Sequence, residues 1–370
     1  MLLTIIVFIL ILCVLVLIHE AGHFFMAKKL GIKVEEFGFG FPPRVWGKKI
    51  GETLYSLNLL PIGGFVKLYG EDEAGGGSLS LSKNKKQETK NIDRAFFARP
   101  AWQRALVVVM GVVMNFLLGA AIISFLFATV GVPKVEKGVV VTEILKNTPA
   151  QASHLKVGDI ILSANNHQFS APVDLVSYTK QHLGKEIILS VKTQKGSLEN
   201  IKITPRVNYP KNEGAMGIGI DSNIVNQKLV WYKAIFQGFV SAFENCWLII
   251  VGIGIVLKDL FFTFRAPAGL AGPVGIAELT GQFIKIGPDA VLSFVSLLSL
   301  NLAVLNILPI PALDGGRLFF ILFEMITGKK IKSDLEAKIH GVGMFVLFAL
   351  IILITIHDVG RLVSGQPILK

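Results

Sequence analysis

The chain has 370 residues, 52% of them hydrophobic and 17% charged, with a formal net charge of +11. This is too apolar for an ordinary soluble protein and points to a chain that crosses a lipid bilayer several times, with room for one small soluble module. The basic residues gather in loops beside apolar runs instead of forming nucleic-acid-like clusters, which argues for orientation in a membrane and against DNA or RNA as a partner.

The first apolar run extends from Leu2 to about Ala27. It is longer than the core of a secretory leader, and neither a basic start nor an A-x-A-like cleavage site accompanies it, so it is expected to be a retained span. Near its end stands "HEAGH", in which His19, Glu20 and His23 form H-E-x-x-H. Histidines four residues apart share one helix face and can reach one ion, and Glu20 can approach a bound water without ligating the metal. Ionisable groups inside a span are costly and mark function. A catalytic zinc takes three protein ligands and a water, so a third ligand has to come from elsewhere in the chain. The two cysteines, Cys13 and Cys246, lie in apolar surroundings and form no C-x-x-C site.

A basic loop follows, from Lys28 to Arg104. Its section at about 34–70 has paired glycines, aromatics and short alternating runs, and reads as a hairpin or small sheet close to the membrane. The polar Gly/Ser/Lys section at about 71–92 reads as a linker. The second span is Ala105–Val130. Residues 132–210 then form the soluble module. "KGVVVTEIL", "GDIILSANN" and "KEIILSVKT" read as strands, and "PVDLVSYTKQH" as a helix begun at its proline, giving a small α+β fold.

In the second half, Asn245–Leu257 has the length of an interfacial or re-entrant segment, preceded by a mixed surface-helix pattern. Ala290–Leu308 and Gly341–Ile356 complete about four transmembrane helices. The organisation expected is therefore membrane core 1–131, inserted domain 132–210, membrane core 211–370. Basic residues after the third span (Arg317, Lys329, Lys330, Lys332, Lys338) join those of the first loop in placing both loops in the cytosol. The N-terminus and the inserted domain then lie outside.

"NLAVLNILPIPALDGGRLFF" (301–320) offers Asp314 as the third ligand. Pro309 and Pro311 disturb helical hydrogen bonding there, and irregular backbone at membrane depth is tolerated where it lines a cavity. D-G is also a common turn pair, so a turn at the cytosolic exit is the competing reading. Parity bears on the choice: Asp314 reaches the side of His19 and His23 only if one net crossing separates it from the soluble module. On this count Asn245–Leu257 should not be a full span.

Taken together these residues resemble the site-2 protease family of intramembrane zinc metalloproteases, in particular the bacterial regulator-of-sigma-E protease type. The resemblance covers nearly the whole chain. It is carried by H-E-x-x-H in the first span and "NILPIPALDGG" from Asn306, with "GFG" (38–40), "GVVMNF" (111–116) and "GPVGIA" (272–277) in support. "TPAQASHLKVGDIILSANN" resembles a PDZ signature, with Ser153 and His154 where Ala-Gly is usual, and there is room for one such domain. The resemblance implies Zn2+ held by His19, His23 and Asp314, Glu20 as general base, and Asn301 and Asn306 in substrate handling, with Pro309 and Pro311 in the same motif. It implies as substrates single-span membrane proteins such as anti-sigma factors or remnant signal peptides, cut within the cytoplasmic membrane, and peptide C-termini as possible ligands of the PDZ domain. A decayed membrane scaffold and a membrane-anchored protease acting on juxtamembrane loops are the alternatives.

Overall fold

The computed structural model describes residues 2–71, 89–210, 213–263 and 271–364, so most of the linker expected at 71–92 lies outside the described residues. The chain divides into two units: a helical unit (1–128 and 230–370) and an inserted unit (129–229).

In the helical unit, α1 (Leu2–Lys29) is unbroken over 28 residues, or about 42 Å at 1.5 Å per residue. Its sequence dictates its end. Lys28 and Lys29 occupy the last turn, where the helix dipole favours cations. Gly31 then takes φ +75°. Its N–H donates to the Lys28 carbonyl at 3.0 Å, and the Ile32 N–H donates to the Ala27 carbonyl at 2.9 Å. This pair of bonds is the Schellman closure, which needs a residue that accepts left-handed backbone.

The two strands that follow, β1 (Val34–Ile50) and β2 (Thr53–Leu68), are antiparallel. Each turns back on itself partway. Residues 34–39 pair on one side with 64–68 and on the other with 54–57, while 44–50 pair with 53–58. The sheet expected at 34–70 is thus four short segments wide, with 64–68 at one edge.

Helix α2 (Ala101–Thr129) crosses α1 at a pair of glycines. A Cβ on Gly22 would fall 2.7 Å from the Met110 carbonyl carbon and 2.9 Å from Gly111 Cα, so the two helices meet backbone to backbone. One buried cluster then joins the end of α1, the sheet and α2 through Ala27, Val34, Leu68, Val107 and Val108.

The inserted unit contains β3 (Val132–Ile144), α3 (Pro149–Ala152), β4 (Ile160–Ala164), β5 (His167–Gln168), α4 (Pro172–Gln181), β6 (Ile187–Lys192), β7 (Leu198–Ile203) and β8 (Ile218–Gln227). Its sheet runs β7-β6-β4-β3-β8, with β5 beside β4. Alternation buries Ile187, Leu189 and Val191 on one face, and α4 contributes Leu175 to the same core. Pro172 opens α4, and the Asp174 carboxylate accepts from the Ala171 N–H at 3.0 Å. The unit does not close at 210 as expected. β8 pairs with β3 from Val132↔Gln227 to Ile144↔Ile218, which carries the boundary to Leu229.

Back in the helical unit come α5 (Trp231–Thr263), α6 (Pro273–Ile286), α7 (Pro288–Ile307), α8 (Asp314–Thr327) and α9 (Ser333–Val363). Here the sequence expectation needs correction. Asn245–Leu257 is the middle of a 33-residue helix, not a short interfacial or re-entrant piece. Among the described residues five helices, not about four, are long and apolar enough to cross a membrane: α1, α2, α5, α7 and α9. Polar residues such as Lys233, Gln237 and Glu244 hid the upstream half of α5, because they alternate with aromatics that pack on α2. The Phe116 ring lies 4.6 Å from that of Phe243, and Ser124 meets Gly238 and Ile235 near the other end of α2. α5 is therefore antiparallel to α2. So is α7, since a Cβ on Gly119 would lie 3.3 Å from the Ser296 carbonyl oxygen while the Ser299 hydroxyl donates to the Asn115 carbonyl at 2.7 Å. α5 and α7 run the same way, and the chain between them returns to its starting end. Asp314 thus arrives beside His19 and His23 even though the stretch excluded by parity forms a helix of spanning length.

Candidate active site

Four elements build the site. His19 and His23 project from α1 at the i, i+4 spacing, 8% and 9% exposed. Their ring centroids are 4.8 Å apart and nearly perpendicular, which brings the two Nε2 atoms to 3.2 Å. Asp314, the first residue of α8, places Oδ2 at 2.9 Å from His19 Nε2 and 3.2 Å from His23 Nε2. Three donor atoms of one apex are thus contributed from opposite ends of the sequence.

The arrangement fits a cation. His23 Nδ1 lies 2.8 Å from the Val107 carbonyl, which can only accept, so the ring proton sits on Nδ1 and Nε2 presents a lone pair to the cluster. That lone pair faces a second imidazole nitrogen and a carboxylate oxygen. Asp314 Oδ2 is itself buried without a hydrogen-bond donor among the described residues. Converging lone pairs repel unless a cation lies between them. Tetrahedral zinc with bonds of about 2.0–2.1 Å would hold its ligand atoms about 3.3 Å apart, close to the separations found.

The rest of the surroundings explains why the rings sit where they do. Gly111 of α2 lies under both: a Cβ there would be 2.6 Å from His23 Cε1 and 2.8 Å from His19 Cε1. One turn on, the Asn115 amide reaches His19 Nδ1 at 3.5 Å, while its Oδ1 is buried and unpartnered. Amide oxygen and nitrogen are interchangeable in position. Turned the other way, Asn115 would offer His19 Nδ1–H an acceptor. The double glycine after Asp314 also has a cause. A Cβ on Gly315 would lie 2.6 Å from the Ile307 carbonyl carbon, and one on Gly316 3.0 Å from Pro311 Cα, because the first turn of α8 folds back on the segment before it.

Glu20 lines a cavity of about 120 Å³ together with His23, Val66, Leu68, Asp314 and Arg317. The 64–68 edge of the sheet passes this cavity: a Cβ on Gly64 would touch Glu20 Cγ at 3.6 Å. Arg317, one turn beyond Asp314, is ion-paired with Glu71 and stacks over Phe96 at 4.3 Å. Its Nε and Nη2 are buried without a partner among the described residues.

The structure brings together four of the residues singled out in the sequence: His19, Glu20, His23 and Asp314. The others lie nearby in the chain but engage differently. Asn301 donates its amide to the Leu297 carbonyl one turn earlier in α7 at 2.9 Å. Asn306 is partly exposed at the end of α7, Pro309 is exposed, and Pro311 packs against Gly343 of α9. Sequence reasoning did not assign roles to Gly111, Asn115, Arg317 or Glu71. The i, i+4 spacing of Gly111 and Asn115 on α2, matching that of the histidines, was the available signal.

Comparison with known proteins identifies the family of the chain. The profile of peptidase family M50 matches residues 7–350. The regulator of sigma-W protease RasP of Bacillus subtilis is 30% identical, over 97% of this chain and 99% of its own. A Clostridium acetobutylicum protein with a zinc metalloprotease name is 34% identical over 94% of each chain. Among solved structures, the PDZ domain of an SdrC-like protein of Listeria innocua covers 25% of this chain and 99% of its own, at 24% identity and a TM-score of 0.20.

Proposed function

The chain belongs to peptidase family M50, and from that premise we propose that it is an intramembrane zinc endopeptidase that hydrolyses peptide bonds within or beside the spans of single-pass membrane proteins. The observation that carries this reading is the convergence of His19 Nε2, His23 Nε2 and Asp314 Oδ2 within a unit made largely of helices of spanning length.

His19, His23 and Asp314 are assigned as the zinc ligands. Zinc, when bound, supplies a Lewis acid that polarises water and the scissile carbonyl. The protein residues do the rest. Glu20 faces the same cavity and accepts the proton of the attacking water, then returns it to the leaving amine. The Val107 carbonyl holds the His23 imidazole in the tautomer that leaves Nε2 free, and Asn115, with its amide oxygen turned towards Nδ1, would do the same for His19.

A helical substrate hides its carbonyls in its own hydrogen bonds and must unwind locally before attack. The 64–68 edge of the sheet, running past Glu20, is placed to take the unwound segment as an added strand. Asn301 and Asn306 supply amides for its freed backbone groups, and Pro309 and Pro311 keep the backbone before Asp314 out of helix.

The bacterial relatives support a bacterial cytoplasmic membrane location, and the charge distribution supports an orientation with the basic loops in the cytosol and the inserted unit outside. That unit is assigned as a single PDZ domain acting on access to the site, with a peptide C-terminus as its possible ligand. Anti-sigma factors and remnant signal peptides are the substrate classes proposed. Retention of all four of His19, Glu20, His23 and Asp314 in one constellation speaks against a decayed scaffold.

The test separates binding from turnover. Glu20→Gln should retain zinc, lose cleavage of a single-span substrate and trap that substrate. His19→Ala, His23→Ala and Asp314→Ala should each lose zinc. Normal cleavage by Glu20→Gln, or full zinc in Asp314→Ala, would remove the assignment of that residue.

A further inference from the structure

Asp314 opens α8, and the residues before it are held in a turn that a side chain resists. Ala312 has φ +77° and is the one non-glycine residue at positive φ among the described residues of the helical unit. Left-handed backbone is unfavourable for any residue with a Cβ, so something outside the turn has to hold it. The Ala312 N–H donates to His340 Nδ1 of α9 at 2.9 Å. Three residues on, Gly343 lets the turn come close: a Cβ there would lie 2.8 Å from the backbone carbon and oxygen of Pro311. The His340 ring is 8% exposed and lies 5.6 Å from the Phe320 ring of α8, nearly edge-on.

The tautomer follows from the donor. A backbone N–H can only give its proton, so Nδ1 of His340 accepts and the ring proton is on Nε2. His340 Nε2 is buried with no partner among the described residues. The ring thus holds this arrangement although half of its own hydrogen-bonding capacity goes unmet, which simple core packing would not call for.

We propose that His340 is a positioning residue for the metal centre. By fixing Ala312 in left-handed backbone it sets where Asp314, two residues on, presents its carboxylate to His19 and His23. The inference rests on the reading of Asp314 as a zinc ligand. His340 touches neither substrate nor metal; it acts through the turn.

The test uses the full chain in detergent, with zinc affinity measured by competition against a chromogenic chelator. Asn places its amide oxygen near the position of Nδ1, whereas Gln reaches towards that of Nε2. His340→Asn should therefore stay within about threefold of the parent, while His340→Gln and His340→Leu should bind zinc about 10–100-fold more weakly, the usual loss when a partner behind a ligand is removed. Adding Ala312→Gly to His340→Leu should recover part of the loss, because glycine accepts φ +77° freely. A role in packing alone would give the opposite order, with Leu better tolerated than Asn and no recovery from Ala312→Gly.

Parent-like affinity in His340→Leu, or equal affinities for Asn and Gln, would overturn the proposal. The Asn and Gln pair decides it if the Leu variant does not fold. Asp314→Ala, run beside them, separates the two levels. Zinc loss there with parent-like His340→Leu removes only the role of His340. Zinc retention in Asp314→Ala removes the ligand reading on which it stands.

Discussion

Replacing Gly111 by alanine would add one methyl group at the point where α2 passes beneath both histidines. Its carbon would start 2.6 Å from His23 Cε1 and 2.8 Å from His19 Cε1. Comfortable carbon contacts are about 3.5–4.0 Å, so the rings would have to retreat by about 1 Å. They have little freedom to do so. His23 is tied to the Val107 carbonyl at 2.8 Å, and α1 and α2 already touch through Gly22. Metal–ligand distances tolerate about 0.2 Å, and a misplacement of about 1 Å costs roughly a hundredfold in activity. Gly111→Ala should therefore lower both zinc affinity and cleavage at least about a hundredfold, while overpacking reduces stability by about 1–3 kcal/mol. The assay is zinc stoichiometry after graded chelator dialysis, paired with cleavage of a single-span substrate. Gly254→Ala in α5, where an added Cβ meets nothing within 4 Å, is the control and should be neutral or slightly stabilising. A Gly111→Ala protein with parental zinc and turnover would refute the argument that this glycine sets the ring positions.

Three further outcomes follow. The Arg94 guanidinium bonds both oxygens of Glu52 at 2.8 Å and, with Lys28, holds its carboxyl down at about 2. A lowered folded pKa means stability present above the unfolded value of about 4.3 and lost as pH falls towards 2, so the stability difference between parent and Glu52→Gln should be constant near neutrality and shrink through acid. A gap that instead widened in acid would contradict that sign. The Arg104–Glu324 pair, 2.6 Å apart with side chains 11% and 17% exposed, joins α2 to α8, and Lys330 lies 3.9 Å from the same Glu324 oxygen, so Arg104→Ala should cost about 1.5–3 kcal/mol in unfolding measurements, the loss of a charged hydrogen bond with the carboxylate still partnered; an unchanged melting profile would show that the pair is not desolvated. Replacing 129–229 by a flexible linker should admit full-length substrates if the inserted unit excludes them, and abolish cleavage of trimmed ones if it recruits. Exclusion is the outcome expected, and continued rejection of full-length substrate by a zinc-loaded deletion protein would count against it.

Much of the site was legible because its chemistry is local. The i, i+4 histidines announce a shared helix face, and Asp314 stands out as a carboxylate between prolines and paired glycines beside an apolar run. What could not be read depends on contacts between distant elements. Gly111 and His340 look ordinary in sequence, and their importance comes from what crosses them in space. The doubling back of β1 and β2 is invisible to alternation, since each segment alternates in the same way whichever partner it meets. The length of α5 was missed for a related reason. Its polar positions broke the apolar run without breaking the helix, because Phe239, Ala242 and Phe243 still recur at helical spacing towards α2. The end of the inserted unit was misplaced because β8 belongs to β3, on the far side of the module in sequence.

The pairing of β3 with β8 has one more consequence. Val132 and Gln227, the outermost paired residues, are cross-strand neighbours, and such Cα atoms lie about 4.5–5.5 Å apart. The hundred or so residues of the insertion therefore enter and leave through a single two-stranded stem. A stretch of gene bounded in this way behaves as a cassette. It can be duplicated in tandem, trimmed or exchanged for another β-rich module without asking the helices on either side to reposition, because the distance their connection must bridge is set by the stem and not by what the stem carries. Changes in the inserted module can then arise by recombination at one site in the gene, leaving the helices that carry His19, His23 and Asp314 untouched.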